Sequence, residues 1–347
     1  MRDNSAEDLT IELRRIHEMS EEALRIHREA IVVDTHCDTL LRVLPPPGSG
    51  RRPIRLGERS KEGHIDLPRL KEGGVDCQVF AIYTGFRPNP PDALLRALQL
   101  VMAFERECEE NEELVKAESY RDIMKAVEEG KVAGLLSLEG AEPLMGDPKM
   151  IGIFHRLGIR MISLTWNWRN PFADGLAASR AESKLTELGV EAIREMERLG
   201  IILDVSHLSD SCFWDVVEVA EKPFIASHSN CRALCDHPRN LTDDMIKAIA
   251  DHGGVIGMNF APMFIHKEKA TLERLVDHID HVVEVAGIDH VGLGSDFDGI
   301  GSTPEGLEDV SKIPGITEEL LRRGYSEEEI RKILGENHLR VFREIIG

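Results

Sequence analysis

Short apolar runs alternate with longer amphipathic segments along most of the 347-residue chain. Eight of these runs are rich in leucine or β-branched residues, and several follow a glycine, which is typical of strands. Their apolarity is continuous rather than alternating, which indicates strands covered on both faces, as in a parallel sheet. The predicted strands are 31–35, 75–84, 132–138, 160–166, 201–206, 224–227, 255–260 and 290–295.

The segments between these strands have the periodicity of amphipathic helices. Ser209 and Thr242 each precede such a segment, and their side chains can accept the free backbone N–H groups of a first helical turn. Eight strands alternating with helices predict an α/β fold, a closed (β/α)8 barrel of the TIM type. The alternative is an open doubly wound sheet, which usually has fewer strands and would not place the polar strand ends around one rim. The predicted helices include 92–111, 117–129, 185–199, 210–221, 242–251 and 271–286.

No low-complexity linker divides the chain, so we expect a single barrel domain over residues 1–347. The proline- and glycine-rich stretch 45–53 indicates an insertion in a loop. An N-terminal helix within 1–29 and C-terminal helices within 314–347 are expected to pack outside the barrel.

Composition narrows the possible partners. Acidic residues outnumber basic ones, 62 to 42, and the formal net charge is −20. Such a surface repels nucleic acids and anionic membranes, although solubility alone also explains it. No stretch approaches the roughly 18 apolar residues that span a bilayer, and the first thirty residues lack the apolar centre of a secretory signal. We therefore expect a cytoplasmic protein with reduced cysteines and no membrane or nucleic-acid partner.

Ionisable residues stand at the carboxyl ends of five predicted strands. In a barrel these ends converge on one face, which is where active sites are built, so the residues should meet in one pocket. They are His36 and Asp38 after the first strand, Glu139 after the third, His207 after the fifth, His228 after the sixth and Asp296 after the eighth.

This set suits a centre of two metal ions. His36 and Asp38 are two residues apart, so they point the same way from a strand and can bind one ion. Glu139 can bridge two ions through its two oxygens, and His207 and His228 complete the second site. Imidazole nitrogen and carboxylate oxygen suit Zn²⁺ and similar divalent ions. Two ions about 3.5–4 Å apart can hold a hydroxide at neutral pH and polarise a substrate carbonyl.

Each residue also has a simpler interpretation. A single histidine at a strand end is more often a hydrogen-bonded polar residue than a ligand, and Asp34 suits a carboxylate that fixes a loop or orients a ligand. The coincidence of all these side chains in barrel order favours the metal centre. Burying so many ionisable groups together is costly without a metal or mutual pairing.

The segments around these residues closely resemble the renal or membrane dipeptidase family of the amidohydrolase superfamily. They are VVDTHCDTL, LLSLEGAEPL, LDVSHLSD, FIASHSN with HPRN close behind, VGLGSDFDG followed by PEGLEDVSK, and GENHLRVF. The resemblance extends from about residue 30 to the end of the chain. It implies a zinc dipeptidase on a distorted (β/α)8 barrel, with two Zn²⁺ per chain, dipeptide substrates and a possible homodimer.

The resemblance also implies a role for individual residues. Asp296 matches the family's catalytic carboxylate, which takes a proton from the bridging water and passes it to the leaving amine. Arg239 matches the arginine that holds the terminal carboxylate of the dipeptide, although a surface arginine in a loop is the alternative. The implied ligands are His36 and Asp38 for one zinc, Glu139 as the bridge, and His207 and His228 for the other zinc.

One position departs from the family pattern. Well-known members carry a histidine after the Leu-Thr of the fourth strand, where it helps polarise the scissile carbonyl, whereas Trp166 stands there in this chain. An indole N–H donates a hydrogen bond but cannot carry a positive charge. Asn167 and Asn170 are candidates for the missing donor, and Trp166 alternatively only lines the pocket. Tyr83 and Asn259 are further candidate substrate contacts, with packing or loop fixing as equal alternatives.

We therefore predict a metallo-dipeptidase that cleaves the peptide bond of dipeptides with a hydroxide bound by two zinc ions. The substitution at Trp166 motivates an alternative, an amidohydrolase that acts on another small amide such as an N-acyl amino acid or a lactam. A third possibility is a catalytically inactive binding protein that kept the barrel. The complete ligand set together with Asp296 argues against it.

Overall fold

The computed structural model describes residues 19–347, and its central feature is a parallel sheet. The sheet order is β6-β5-β4-β2-β1-β8-β7, with β3 paired to β4 beside this path. The strands are β1 (Val32–Cys37), β2 (Val75–Tyr83), β3 (Leu114–Lys116), β4 (Val132–Glu139), β5 (Ile159–Ser163), β6 (Ile202–Asp204), β7 (Ile256–Met258) and β8 (Val291–Leu293).

The sheet curls into the predicted barrel through segment 224–227. This segment forms only isolated bridges, from Ile225 to Asp204 of β6 and from Ala226 to Ile256 of β7. It is therefore shorter and less regular than the strand predicted there. Pro223 directly precedes it and has no N–H to donate to a ladder. The two bridges nevertheless occupy the gap between β6 and β7, so the α/β barrel expected from the sequence is confirmed.

The structure adds one strand that the sequence pattern did not predict. Strand β3 pairs with the beginning of β4, with Leu114 opposite Val132, whereas β5 pairs with the end of β4. Three residues are too few to show a strand periodicity, which explains why the prediction missed β3.

Helices surround the sheet, and the predicted starts at Ser209 and Thr242 are correct. The Ser209 hydroxyl accepts from the Cys212 N–H, and the Thr242 hydroxyl accepts from the Met245 N–H. The helices are α1 (Glu21–Glu29), α2 (Leu40–Val43), α3 (Leu67–Glu72), α4 (Pro90–Glu110), α5 (Tyr120–Glu128), α6 (Ile151–Arg156), α7 (Glu187–Leu199), α8 (Asp210–Val219), α9 (Asp243–Asp251), α10 (Pro262–Ile265), α11 (Leu272–Ala286), α12 (Pro314–Arg322), α13 (Glu327–Arg331) and α14 (Asn337–Ile345).

The terminal helices lie within the segments where the sequence analysis expected helices. Helix α1 covers the second part of the predicted helix 1–29, and residues 1–18 lie outside the described range. Near the C-terminus, a π-helical turn (Lys332–Glu336) joins α13 to α14. The assignment of residues 1–347 to one domain stays a prediction.

A hydrophobic cluster explains which end of the barrel is closed. Residues from β1, β2, β4, β5 and β6 belong to one buried cluster with Leu339, Val341 and Phe342 of α14. Gly292 of β8 gives the His338 side chain room there, since a Cβ at Gly292 would lie 2.3 Å from His338 Nε2. Helix α14 therefore covers one end of the barrel interior, and the ionisable residues of the sequence motifs lie at the carboxyl ends of the strands.

Candidate metal centre and active site

The structure brings all the predicted metal ligands and Asp296 into one cluster. Their possible ligand atoms form three overlapping groups, and within each group these atoms lie within 4.8 Å of one another. The five predicted ligands are each no more than 9% exposed, which is low for ionisable side chains. The groups are His36, Asp38 and Glu139; Glu139, His207 and His228; and His36, His228 and Asp296.

Glu139, the last residue of β4, lies between the two predicted ligand pairs, His36 with Asp38 and His207 with His228. Its Oε1 is 3.1 Å from His207 Nε2 and 3.8 Å from His228 Nε2. Its Oε2 is 3.8 Å from His36 Nε2, and Asp38 Oδ2 is 3.5 Å from that same nitrogen. Each oxygen of one carboxylate thus faces a different set of nitrogen atoms, which is the arrangement that a bridging ligand requires.

Hydrogen bonds aim the imidazoles of His207 and His228 at each other. His207 Nδ1 is 2.9 Å from the Asn167 side-chain oxygen, and His228 Nδ1 is 2.7 Å from the Ser227 hydroxyl. Since that hydroxyl donates to Asp204 at 2.5 Å, it accepts from His228. Both rings therefore carry their proton on Nδ1 and present Nε2 lone pairs, 3.0 Å apart. Two lone pairs cannot bond to each other, but they can bind a cation.

Charge in the cluster is distributed unevenly. Burial, together with the positive charges of Arg239 and His36, holds the pKa values of His207 and His228 well below their usual range. Burial also opposes the charging of His36, but nearby Glu139 and Asp38 outweigh it and raise its pKa to about 10. The field that favours a proton on His36 also favours a metal cation.

Buried polar atoms without hydrogen-bond partners also indicate that the residues fit a divalent metal ion. His36 Nε2 and Asp38 Oδ1 are buried and have no hydrogen-bond partner in the structure. Unpaired buried polar atoms are rare because each costs free energy, so such atoms in a cluster indicate a ligand. Nitrogen and oxygen donors of these types suit Zn²⁺.

Asp296 is held at the edge of this cluster in an unusual backbone conformation. Its φ is +61°, in the left-handed region that non-glycine residues rarely adopt. Asn259 donates to its Oδ2 at 3.0 Å, and burial raises the pKa of the carboxyl to about 6. Asn259 is itself fully buried and accepts from the Ala261 N–H, which supports the loop-fixing interpretation of Asn259 over substrate contact.

Asp34 supports the site through hydrogen bonds. Its carboxylate accepts from both the backbone N–H and the hydroxyl of Ser295, at 2.7 and 2.6 Å, and it is fully buried. Asp34 thereby ties β1 to the segment that carries Asp296. The loop-fixing interpretation of Asp34 is the one that these contacts favour.

A cleft of about 950 Å³ opens over the cluster, and Arg239 lies in its wall. Arg239 is only 5% exposed, so it is not the surface arginine considered as an alternative. Its Nη1 donates to the Ser229 hydroxyl at 2.7 Å, while Nε and Nη2 are buried without a partner. A guanidinium with two unused donors in a cleft can bind a carboxylate through two parallel hydrogen bonds.

Comparison with known proteins identifies the family of this chain. A family model described as membrane dipeptidase (peptidase family M19) matches residues 20–346. The chain belongs to the M19 dipeptidase family. The protein is therefore a hydrolase of the metal-dependent dipeptidase type, as the sequence motifs predicted.

Individual relatives agree with this assignment. Dipeptidase tcpJ of Claviceps purpurea is 36% identical over 296 residues, which cover 82% of this chain and 69% of the relative. A solved metallopeptidase of family M19, dipeptidase AC, has a TM-score of 0.84 at 31% identity and covers 92% and 99% of the two chains. A metallopeptidase from Rhodobacter sphaeroides, solved with a phosphinate mimic of the dipeptide L-Ala-D-Ala, has a TM-score of 0.81 at 31% identity and covers 91% and 100%.

The structure contradicts the suggestion that Asn170 supplies the missing hydrogen-bond donor. Its side-chain nitrogen donates to the Leu164 carbonyl at 2.7 Å, and its oxygen accepts from the Phe172 N–H at 2.9 Å. Asn170 therefore holds its loop and does not line the cleft, so it cannot donate to a substrate. Asn167 lines the cleft but is bonded to His207.

Trp166 and Tyr83 line the cleft as predicted, within a larger group of aromatic side chains. The Trp166 ring lies 5.3 Å from Tyr83 and 5.8 Å from His207, between ring centroids. Phe86 lies 6.1 Å from Trp166 and 5.3 Å from Trp168. The sequence analysis did not single out Phe86 or Trp168, because aromatic residues in loops carry no periodic signal.

Sequence reasoning also missed Asp204, which supports the metal centre from β6. Its Oδ1 accepts from the backbone N–H groups of Ser206 and Ser227, and its Oδ2 accepts the Ser227 hydroxyl. The available signal was an acidic residue inside the apolar run IILDVS. A buried carboxylate in a strand needs partners, and here these partners orient His228.

In residues 19–347, no helix is both long and apolar enough to cross a bilayer.

Proposed function

We propose that this M19 dipeptidase cleaves the peptide bond of dipeptides at a centre of two Zn²⁺ ions. The observation that carries the proposal is the position of Glu139, whose two oxygens face separate sets of nitrogen atoms. His36 and Asp38 would hold one ion and His207 and His228 the other, with Glu139 common to both. Such ions, when bound, supply a hydroxide at neutral pH and polarise the scissile carbonyl.

Asp296 is proposed to move the proton. Asn259 donates to its Oδ2, and Gly299 leaves room beside its Oδ1. A carboxyl with a pKa of about 6 is a stronger base than an ordinary aspartate and is still mostly ionised at neutral pH. Asp296 would accept a proton from the attacking water and return it to the leaving amine.

Arg239 is proposed to bind the C-terminal carboxylate of the substrate through its unpartnered Nε and Nη2. Tyr83, Trp166 and Asn167 lie in the part of the cleft near His207 and would contact the N-terminal residue. A cleft with a fixed carboxylate anchor restricts the enzyme to short substrates. The dipeptide mimic bound by the Rhodobacter sphaeroides relative supports this class of substrate.

The decisive experiment combines turnover of a dipeptide library with metal analysis of the zinc-loaded protein. We expect hydrolysis together with two zinc ions per chain. Asp296→Asn should keep both ions and lose about a hundredfold or more of kcat, since proton transfer contributes roughly 10²–10⁴-fold. A near-normal kcat for Asp296→Asn would contradict its role, and fewer than two ions per chain would contradict the two-metal centre.

A second candidate function is hydrolysis of another small amide, and Trp166 favours it. The indole stands where well-known members of the family carry a histidine, and it lies against His207. Faster turnover of N-acyl amino acids than of dipeptides would select this alternative. Cytoplasmic location and a homodimer stay predictions.

A further inference from the structure

A second pocket, of about 610 Å³, adjoins the active-site cleft. The two share Trp168 and Ala177 in their linings, so a substrate in the cleft can extend into the pocket. Trp168, one of the two shared residues, also belongs to the aromatic group of the cleft. The charged lining residues of the pocket are Arg87, Glu142, Arg169 and Arg180.

Three arginines line this pocket in a chain whose net charge is −20. Arg169 is neutralised by Asp174, to which its Nη2 donates at 2.7 Å. Arg87 and Arg180 form no ion pair with any residue in the described range 19–347. In a protein with such an excess of acidic residues, two arginines in one pocket without a carboxylate partner leave a local positive charge available to a ligand.

Arg87 is also held in place before any ligand arrives. Its guanidinium lies over the Trp168 ring, 3.5 Å from the ring centroid. Its backbone is in the left-handed region, with a φ of +49°, which costs free energy for a residue other than glycine. A stacked guanidinium loses little side-chain entropy when it binds a carboxylate, so the arrangement favours an anion.

The pocket contains one carboxyl group that opposes this charge. Glu142 is half-buried, and Asn170 donates to its Oε1 at 3.2 Å. Burial raises the pKa of Glu142. With Arg169 paired to Asp174, Arg87 and Arg180 still outnumber this one carboxyl group in the lining.

We propose that this pocket, which we call the arginine pocket, binds an anionic side chain of the substrate's N-terminal residue. The inference rests on the proposed dipeptidase function, because it takes Arg239 as the anchor for the other end. Trp168 and Ala177 line both the cleft and the pocket, so a side chain that passes from one to the other must extend past these two residues. A glutamyl side chain reaches further than an aspartyl one and should bind better.

The test compares kcat/KM of the zinc-loaded full chain for Glu-Ala and Gln-Ala, which differ in charge but hardly in shape. We expect Glu-Ala to be preferred about tenfold, the usual scale of one charge-assisted hydrogen bond, with Asp-Ala in between. The double variant Arg87→Gln, Arg180→Gln should bring the Glu-Ala to Gln-Ala ratio close to one. Arg28→Gln, an exposed arginine on α1, is the matched control and should keep the ratio.

The outcomes separate the two proposals. Hydrolysis of both dipeptides at equal rates overturns the arginine pocket and leaves the dipeptidase function intact. A preference that survives in the double variant also overturns it, because the selectivity then comes from elsewhere. Failure to hydrolyse any dipeptide overturns the proposed function and this inference together.

Discussion

The two halves of the metal cluster use different physical means to favour a cation. In the carboxylate half (His36, Asp38 and Asp296), the negative charges of the bridging Glu139, of Asp38 and of Asp296 raise the pKa of His36 to about 10. The imidazole half (His207 and His228) holds two neutral rings whose pKa values lie well below the usual range. The first half attracts a cation by charge, and the second depends on the orientation of its lone pairs.

This difference determines which residues support each half. In the imidazole half, Asn167 and Ser227 fix the ring protons, and Asp204 fixes Ser227. In the carboxylate half, the closeness of the acidic groups depends on the absence of a side chain at Gly299. A Cβ at Gly299 would lie 2.2 Å from Asp38 Oδ2 and 2.4 Å from Asp296 Oδ1. Crowding should therefore disrupt metal binding by the carboxylate half, and loss of hydrogen bonds should weaken metal binding by the imidazole half.

The largest effect is expected from Gly299→Ala. The added methyl group must displace Asp38, Asp296 or both, so one metal site and the proton carrier are lost together. We expect kcat/KM to fall by more than about a hundredfold, since misplacement of reacting groups by about 1 Å can cost that much. Zinc content should fall towards one ion per chain, as measured by elemental analysis.

Gly301→Ala is the matched control for that change. Nothing lies within 4 Å of a Cβ at Gly301, although it is only two residues away. Its activity and zinc content should match those of the wild type. Equal losses in the two variants would mean that the loop tolerates no alanine and would remove the argument from crowding.

Asp204→Asn should have the next largest effect, on the imidazole half alone. Without the carboxylate the Ser227 hydroxyl is free to reorient, and His228 loses the acceptor that fixes its proton. Outer partners of metal ligands are typically worth about 10–100-fold in metal affinity, and we expect a loss in that range for one ion. Competition with a chelator measures it.

Asp76→Asn is the control that removes a carboxylate from a strand without touching the support of His228. Asp76 lies in β2 and accepts from the Val32 N–H, without contact to a ligand. Unchanged zinc affinity in Asp76→Asn and a loss in Asp204→Asn would assign the effect to His228. A similar loss in both would refute the assignment.

The same contrast shows what the sequence could predict. The ligands stand at strand ends, a position visible from hydrophobic runs followed by ionisable residues, and His36, Glu139 and His228 all lie where that pattern placed them. Their supporting contacts were not predictable. The bond between Asn167 and His207 depends on the path of the loop after β5, and loop paths follow from tertiary contacts rather than from periodicity.

The fold shows a similar division between predictable and unpredictable features. Long runs such as β2 and β4 were predicted almost to the residue, because β4 is buried along its whole length and β2 along most of it. Segment 224–227 was predicted as a regular strand but forms only two bridges. Whether a run of four residues makes a ladder depends on its neighbours, which the local sequence does not contain.

Asn167→Ala should weaken the imidazole half more mildly than Asp204→Asn. His207 would keep its place through burial but lose the acceptor at Nδ1, so we expect about a tenfold fall in affinity for one zinc ion. Asn167→Asp restores an acceptor and should recover most of the affinity. If the aspartate variant were as weak as the alanine variant, the hydrogen bond would not be the cause.

The smallest effect at neutral pH concerns a buried imidazole far from any carboxylate ligand. Burial lowers the pKa of His338 to about 3, compared with about 6.5 in an unfolded chain. The unfolded state therefore binds the proton first, so this contribution to stability is complete above about pH 6.5 and is lost as the pH falls towards 3. The cost is about 1.4 kcal/mol per pH unit below 6.5, or roughly 2 kcal/mol at pH 5. His338→Leu should flatten the fall in the free energy of unfolding between pH 7 and pH 5 by about that amount. The same slope in wild type and variant would show that burial does not lower the pKa of His338. The contrast with His36, whose acidic neighbours raise its pKa despite burial, would then be lost.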